Sequence, residues 1–109
     1  MRKNYVFIDY ENVQIKSLQL LNDEQFQVMI FLGINNTKLS TEFVLSKEVL
    51  GERAEYIRLE KAGENALDFH IAYYLGQATL KDGAGYFHVI SRDKGFDPLI
   101  AHLKSIGVF

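Results

Sequence analysis

Residues 28–32 read Val-Met-Ile-Phe-Leu, five apolar side chains without a break. A strand with one wet face alternates apolar and polar residues, so an unbroken run marks a strand covered on both faces, as in the middle of a parallel sheet. The run extends to a strand over 26–33. Three similar segments, 4–9, 54–59 and 86–91, read as further strands because they are rich in β-branched and aromatic residues. Helical spacing separates them. Ile15, Leu18 and Leu21 predict a short helix over 13–21, and 40–50 predicts a second, stopped by Gly51. Leu67, Ile71, Tyr74, Leu75 and Ala78 predict the longest helix, over 64–80. Asp97-Pro98 opens a last helix through Lys104, with Asp97 as its N-cap and Pro98 in the first helical position. Residues 106–109 read as the start of a fifth strand. The alternation predicts an α/β fold: a parallel sheet of four to five strands with helices on both faces.

The chain's 109 residues form one small domain, and the abrupt stop after Phe109 is read as the edge of a longer protein with a further C-terminal domain. With 48% apolar and 24% charged residues the composition is that of a folded protein rather than a disordered one. There is no cysteine, which removes disulfides and cysteine zinc sites. No stretch is long and apolar enough for a bilayer, and Met1-Arg2-Lys3 leads directly into a strand, so no membrane association is expected and the expected compartment is the cytoplasm. A net charge of −2 argues against a protein that coats nucleic acid by charge. It does not argue against one that cuts it, because a bound cation supplies local positive charge.

Three acids lie where such a sheet places its ligands. Asp9 follows the first strand, Asp93 follows the fourth (read as central), and Asp68 lies early in the long helix. Strand ends and the starts of the following helices share one edge in an open α/β sheet. Carboxylates that converge there repel one another and need a cation, which points to a divalent metal and phosphodiester chemistry. Each also has a plainer explanation: Asp9 a cap, Asp68 a first-turn acid favoured by the helix dipole, Asp93 a turn residue. Asn12 and Ser91 are placed to orient Asp9 and Asp93, respectively. Arg92 and Lys94 flank Asp93 and are candidates to steady a phosphate. Asp97 is a further metal-ligand candidate, although capping alone explains it. His70 lies two residues beyond Asp68 and so points away from it on a helix, which leaves it structural.

Phe7-Ile8-Asp9-Tyr10-Glu11-Asn12-Val13, Asn65-Ala66-Leu67-Asp68-Phe69-His70-Ile71-Ala72 and Ile90-Ser91-Arg92-Asp93-Lys94-Gly95-Phe96 resemble, in order and spacing, the three acidic motifs of PIN-like domains, the NYN-type branch and its bacterial cousins in particular. The resemblance covers nearly the whole chain. It implies a Rossmann-like three-layer α/β/α sandwich and a metal-dependent ribonuclease. In it, Asp9, Asp68 and Asp93 are the catalytic acids that hold Mg²⁺ or Mn²⁺, and Asn12 is the partner of the first. Two departures stand out. The third motif of the family usually reads Asp-x-Asp-Phe, whereas this chain has Gly95 in place of the second acid and Asp97 two positions on. Many PIN domains also carry a glutamate between the first two motifs, for which Glu42 and Glu60 are candidates.

The implied reaction is hydrolysis of RNA, with single-stranded DNA as a second substrate class; a homo-oligomer is left open. The rival reading is a module that lost an acid and binds RNA or a protein without cutting, with Tyr10, Tyr56 and Tyr73 as candidate stacking platforms. A phosphatase with Asp9 as nucleophile is disfavoured, because the acid two residues on is the longer Glu11. No glycine-rich phosphate loop and no metal-ligand spacing among His70, His88 and His102 competes.

Overall fold

A computed structural model describes residues 2–108. Four strands, β1 (Asn4–Asp9), β2 (Phe26–Leu32), β3 (Ala54–Arg58) and β4 (Tyr86–Ile90), form one parallel sheet in the order β3-β2-β1-β4. Three helices alternate with them: α1 (Thr41–Leu50), α2 (Ala66–Lys81) and α3 (Asp97–Ser105). Strand order reverses at β1, which pairs with β2 on one side and β4 on the other. The crevice beyond the C-terminal ends of β1 and β4 is therefore the switch point of the sheet, where α/β folds place ligands.

Strand periodicity sorts the core into two layers. Val6 and Ile8 of β1, with Val28, Ile30 and Leu32 of β2, face α1 and pack with Phe43, Leu50 and Leu18. Phe7 and Phe31 face the other way and pack with Leu67, Ile71 and Leu75 of α2, with Phe87 and with Phe96. Partly buried Leu99, Ile100 and Leu103 of α3 join this second layer. The fold is thus the three-layer sandwich expected. Asp9 is an odd position of β1, so it points with Phe7 toward the α2 layer.

The local signals explain most boundaries. Ser40 caps α1 by accepting a bond from the Phe43 amide at 3.1 Å, and Gly51, at φ 60°, ends it. Four expectations need correction. The helix over 13–21 is only a 3-10 turn at Gln19–Leu21. The Gln14 amide bonds to the carbonyls of Tyr10 and Glu11, and the Leu18 amide goes to the Ser46 hydroxyl at 2.9 Å, so the segment is tied to α1 instead of coiling. Burial of Leu18 in the α1 layer outweighs its weak helical pattern. Ile106 and Gly107 form a turn, with Gly107 at φ 80°, and Val108 is in no strand. The last residue of that expected strand, Phe109, lies outside the described residues. β4 is consequently an edge strand of the described sheet, not a central one. Finally, Asp97 does not cap α3. A 3-10 turn at Lys94–Phe96 runs straight into the helix, so Phe96 is the cap residue, Asp97 the first helical position and Pro98 the second. The capping carboxylate is Asp93, which accepts the Gly95 amide at 2.8 Å.

Candidate active site

The register of β1 and β4 decides the first contact. Ile8 pairs with Ile90, which puts Ser91 beside Asp9 at the C-terminal edge. The Ser91 hydroxyl donates to Asp9 Oδ2 at 2.9 Å. Asn12 holds the same carboxylate twice, its side-chain amide donating to Oδ2 at 2.9 Å and its backbone amide to Oδ1 at 3.2 Å. Asp9 is fully buried, and these three donors offset the cost of burying its charge. A carboxylate offers about four acceptor positions, so one direction is left for a further partner.

Ser91 also links Asp9 to the third motif. Its oxygen accepts the Asp93 amide at 3.0 Å, so one hydroxyl ties the buried acid to the loop that carries the exposed one. Asp93 folds back on that loop, and Gly95 makes this close turn feasible: a Cβ at Gly95 would sit 3.0 Å from Asp93 Oδ1. The missing acid of the third motif is thus a position where the chain uses glycine to set the Asp93 loop.

Asp68 arrives from the opposite wall, in the first turn of α2. Leu67 and Ile71 anchor that turn in the core, which aims Asp68 across the crevice. Asp68 and Asp93 share a hydrogen bond. The Asp68 carboxyl is pushed up from 3.8 to about 7, by burial first, then by the bond to Asp93 and the charges of Asp93, Asp9 and Glu11. Asp93 is held below the ordinary carboxylate range, chiefly by accepting that bond and secondly by the Gly95 amide. Asp68 is therefore the acid of the pair that keeps a proton up to about neutral pH, and Asp93 the one that ionises first. Every charged group acting on Asp68 is an acid.

Glu11 is the residue that the sequence reading undervalued. Its carboxylate lies over Gly33, where a Cβ would come within 1.8 Å of Oε2. It also borders a cleft of about 230 Å³ with Lys61, Ala66 and Leu67 at the start of α2. Its spacing from Asp9, two residues along the end of a strand, and the glycine that follows β2 are the signals that could have located it. The other acid candidates lie elsewhere. Glu42 sits on α1 beside Leu45 and Ser46, the opposite face of the sheet. Glu60 is exposed after β3 and Asp97 is exposed on α3; neither is among the groups acting on Asp68.

Arg92 and Lys94 are exposed on either side of Asp93. His70 is exposed and its Nδ1 lies 2.7 Å from the Ala66 carbonyl of its own helix. Of the stacking candidates, Tyr10 and Tyr56 belong to the α1 layer, with Tyr10 packed on Phe43 at 4.8 Å, whereas Tyr73 is 64% exposed on α2. A separate cavity of about 230 Å³ lies near Tyr5, Gln27, Arg53 and Lys81, toward the N-terminal ends of β1 and β2, away from the acids.

Among the described residues, no three His, Cys, Asp or Glu side chains stand close enough together to form a metal site as placed. The direct carboxylate contact is the Asp68–Asp93 pair. That pair fits Mg²⁺ or Mn²⁺ by its chemistry. Such ions take hard oxygen donors, keep several waters and need only one or two carboxylates from the protein. Asp68 retains its proton because of burial first and the neighbouring acids second, and a bound cation would favour its release.

The class defined by the fold is the Rossmann-like α/β/α sandwich, with Asp9, Asp68 and Asp93 toward the C-terminal edge of its parallel sheet. The family model for the PIN domain, PIN7, matches residues 3–109, and the chain belongs to that family. No curated protein and no solved structure matches it. PIN domains are in general nucleases and typically use divalent metals.

Proposed function

We propose that this PIN domain is a metal-dependent ribonuclease acting at the edge formed by Asp9, Asp68 and Asp93. The observation that carries the reading is the cleft that Asp68 and Asp93 line together at the sheet edge where three donors immobilise a buried Asp9. Asp68 and Asp93 are the groups that would hold Mg²⁺ or Mn²⁺, and Asp9 supplies a fixed charge beneath them. Bound there, a divalent cation supplies Lewis acidity toward water and offsets charge on the scissile phosphate. Ser91 and Asn12 set the orientation of Asp9, and Ser91 couples it to the Asp93 loop. Arg92 and Lys94 steady the phosphodiester by charge. Water adds to phosphorus and one P–O ester bond breaks. Glu11 adds negative charge to the same edge and strengthens its hold on a cation.

Purified protein is assayed on single-stranded RNA and DNA with Mg²⁺ or Mn²⁺, beside Asp9→Asn and Asp93→Asn. Cleavage of RNA by the wild type alone supports the reading. Equal residual activity in all three proteins indicates a contaminant and removes it. RNA binding without cleavage supports a non-cutting module instead, a reading favoured by the lack, among the described residues, of three acids grouped as a metal site.

A further inference from the structure

Asp68 and Asp93 do not stand on a flat surface. They border a cleft of about 310 Å³ between the start of α2 and the loop into α3, whose remaining walls include Asn65, Phe69, Phe96 and Leu99. Phe96 forms a buried wall, but Phe69 is 71% exposed although it is adjacent to Asp68. The helical pattern explains why: Leu67 and Ile71 take the inward positions of α2, leaving Phe69 on the outer face. An aromatic ring left in water beside paired carboxylates does nothing for the core.

Asn65 is the second unusual wall residue. It precedes α2 in the left-handed region, at φ 58° and ψ 18°, the one non-glycine residue with positive φ among those described. Asn is common at helix N-caps because its side chain bonds the first turn. Here it makes no such bond. Its amide is thus free at the mouth of the cleft, four residues from Phe69 on the same helix. The amide presents both a donor and an acceptor.

We infer that this cleft is a nucleobase pocket: an unstacked base next to the scissile phosphate lies on the Phe69 ring, with its polar edge against the Asn65 amide. The inference rests on the proposed nuclease reading and deepens it, because it makes single-stranded RNA the substrate class. A base within a duplex is stacked on both faces and does not reach Phe69. A cation held by Asp68 and Asp93 beside the pocket would place the phosphate that joins this base to the next. A phosphate site and an aromatic face would then lie side by side, which a protein-docking patch has no need of.

The test uses the full chain and a single-stranded RNA 12-mer carrying one 2-aminopurine, whose fluorescence is quenched by stacking. Binding is followed by anisotropy with Ca²⁺ present, so that affinity is read apart from cleavage. Phe69 is exposed, so Phe69→Ala leaves the fold intact. It is expected to weaken binding by about 5- to 150-fold and abolish the quench, while Phe69→Trp keeps both. An abasic site at the responding position should weaken wild-type binding by a similar factor and leave Phe69→Ala unaffected. Asn65→Gly, which suits the backbone angle and deletes the amide, is expected to cost about 2- to 10-fold. A duplex of the same sequence should show no dependence on Phe69. Unchanged affinity and quench in Phe69→Ala overturn the pocket. So does a dimer lost in that variant with RNA affinity intact, which would make Phe69 a protein contact. Cleavage with no Phe69 dependence removes the pocket and leaves the nuclease. A Phe69-dependent quench without cleavage supports the pocket and removes the nuclease.

Discussion

Asp68→Asn should stabilise the metal-free protein, and the structure sets the size and pH range of the effect. The substitution removes the charge but keeps an N–H able to donate to Asp93, so the cost of burying the charge and the like-charge conflict are both deleted. In the folded state the Asp68 carboxyl titrates near 7, against 3.8 for the free group. Its contribution to stability is complete below about pH 3.8 and is lost progressively up to about pH 7, because the unfolded chain releases the proton first. Asp93 shifts the other way and stays ionised across that window, so Asp68 is the member of the pair that responds. A rise of that size corresponds to about 4 kcal/mol if no solvent screens it. Asp68 is only half-buried, and screening leaves about 1 kcal/mol as the expected penalty. For a domain of this size that is a rise in Tm of about 4 to 8 °C for Asp68→Asn in EDTA at about pH 8, shrinking toward about pH 4.5. Mg²⁺ should reverse the ranking. At a hundredfold excess over its dissociation constant a cation that binds only the folded state adds about 2.7 kcal/mol, and the wild type should gain most of this while the variant gains little. Thermal melts by circular dichroism, with and without Mg²⁺, read both effects. If Asp68→Asn melts below the wild type in EDTA at about pH 8, neither burial nor the neighbouring acids penalise the Asp68 charge. If both proteins respond equally to Mg²⁺, the pair does not hold the ion.

Three further outcomes follow from individual contacts. Ser91→Ala removes a donor from a fully buried carboxylate, and a loss of about 1.5–3 kcal/mol is expected from urea denaturation; a change below about 0.5 kcal/mol would mean that Asp9 does not depend on this bond. Gly33→Ala places a methyl group where the Glu11 carboxylate lies, so Glu11 swings away and Asp68 should titrate at lower pH, read by NMR of its carboxyl carbon; an unmoved midpoint would show that Glu11 does not act on Asp68. Tyr56→Phe deletes a buried hydroxyl that has no hydrogen-bond partner among the described residues, and should raise stability by about 1 kcal/mol in the same denaturation assay; a loss of stability would show that the hydroxyl is satisfied.

β1 and β2 were legible because Val6 to Ile8 and Val28 to Leu32 are covered on both faces and form unbroken apolar runs, while the edge strands β3 and β4, with exposed Glu55 and His88, were legible from their β-branched and aromatic residues. The helices α1 and α2 were legible for a similar reason: Phe43 and Leu50, and Leu67, Ile71 and Leu75, lie at helical intervals on one buried face. The segment over 13–21 was not, because its structure depends on a bond from Leu18 to Ser46, 28 residues away. No local pattern carries that information. Asp97-Pro98 misled in the other direction. The pair looks like a helix start, but the preceding 3-10 turn had already begun the coil, and the turn exists because Gly95 lets Asp93 reach back to it. Strand order was not available from the sequence either. It follows from which helix covers which face, and it is what makes β1, rather than β4, the inner strand beside the acids.

The acids differ in kind, and the difference explains which were readable. Asp9 and Asp93 are positioned by backbone: one ends β1, the other follows β4, and the register that sets Ile8 opposite Ile90 brings Ser91 and its two bonds between them. The sheet brings both to its C-terminal edge, and Ser91 and Gly95 set the loop that carries Asp93. Glu11 is positioned by the absence of a side chain. Gly33 follows β2, and the space a Cβ would fill there is taken by the Glu11 carboxylate, which brings its charge to bear on Asp68. Glu42 and Glu60 suggest themselves by sequence order alone, yet one is on the α1 face and the other is exposed beyond β3. Pairing an acid with a glycine on the neighbouring strand end is therefore a better guide to the extra carboxylate of such an edge than its distance along the chain. The rule has a physical basis. A long acidic side chain leaving one strand lies flat across the next only where that strand has no Cβ to block it.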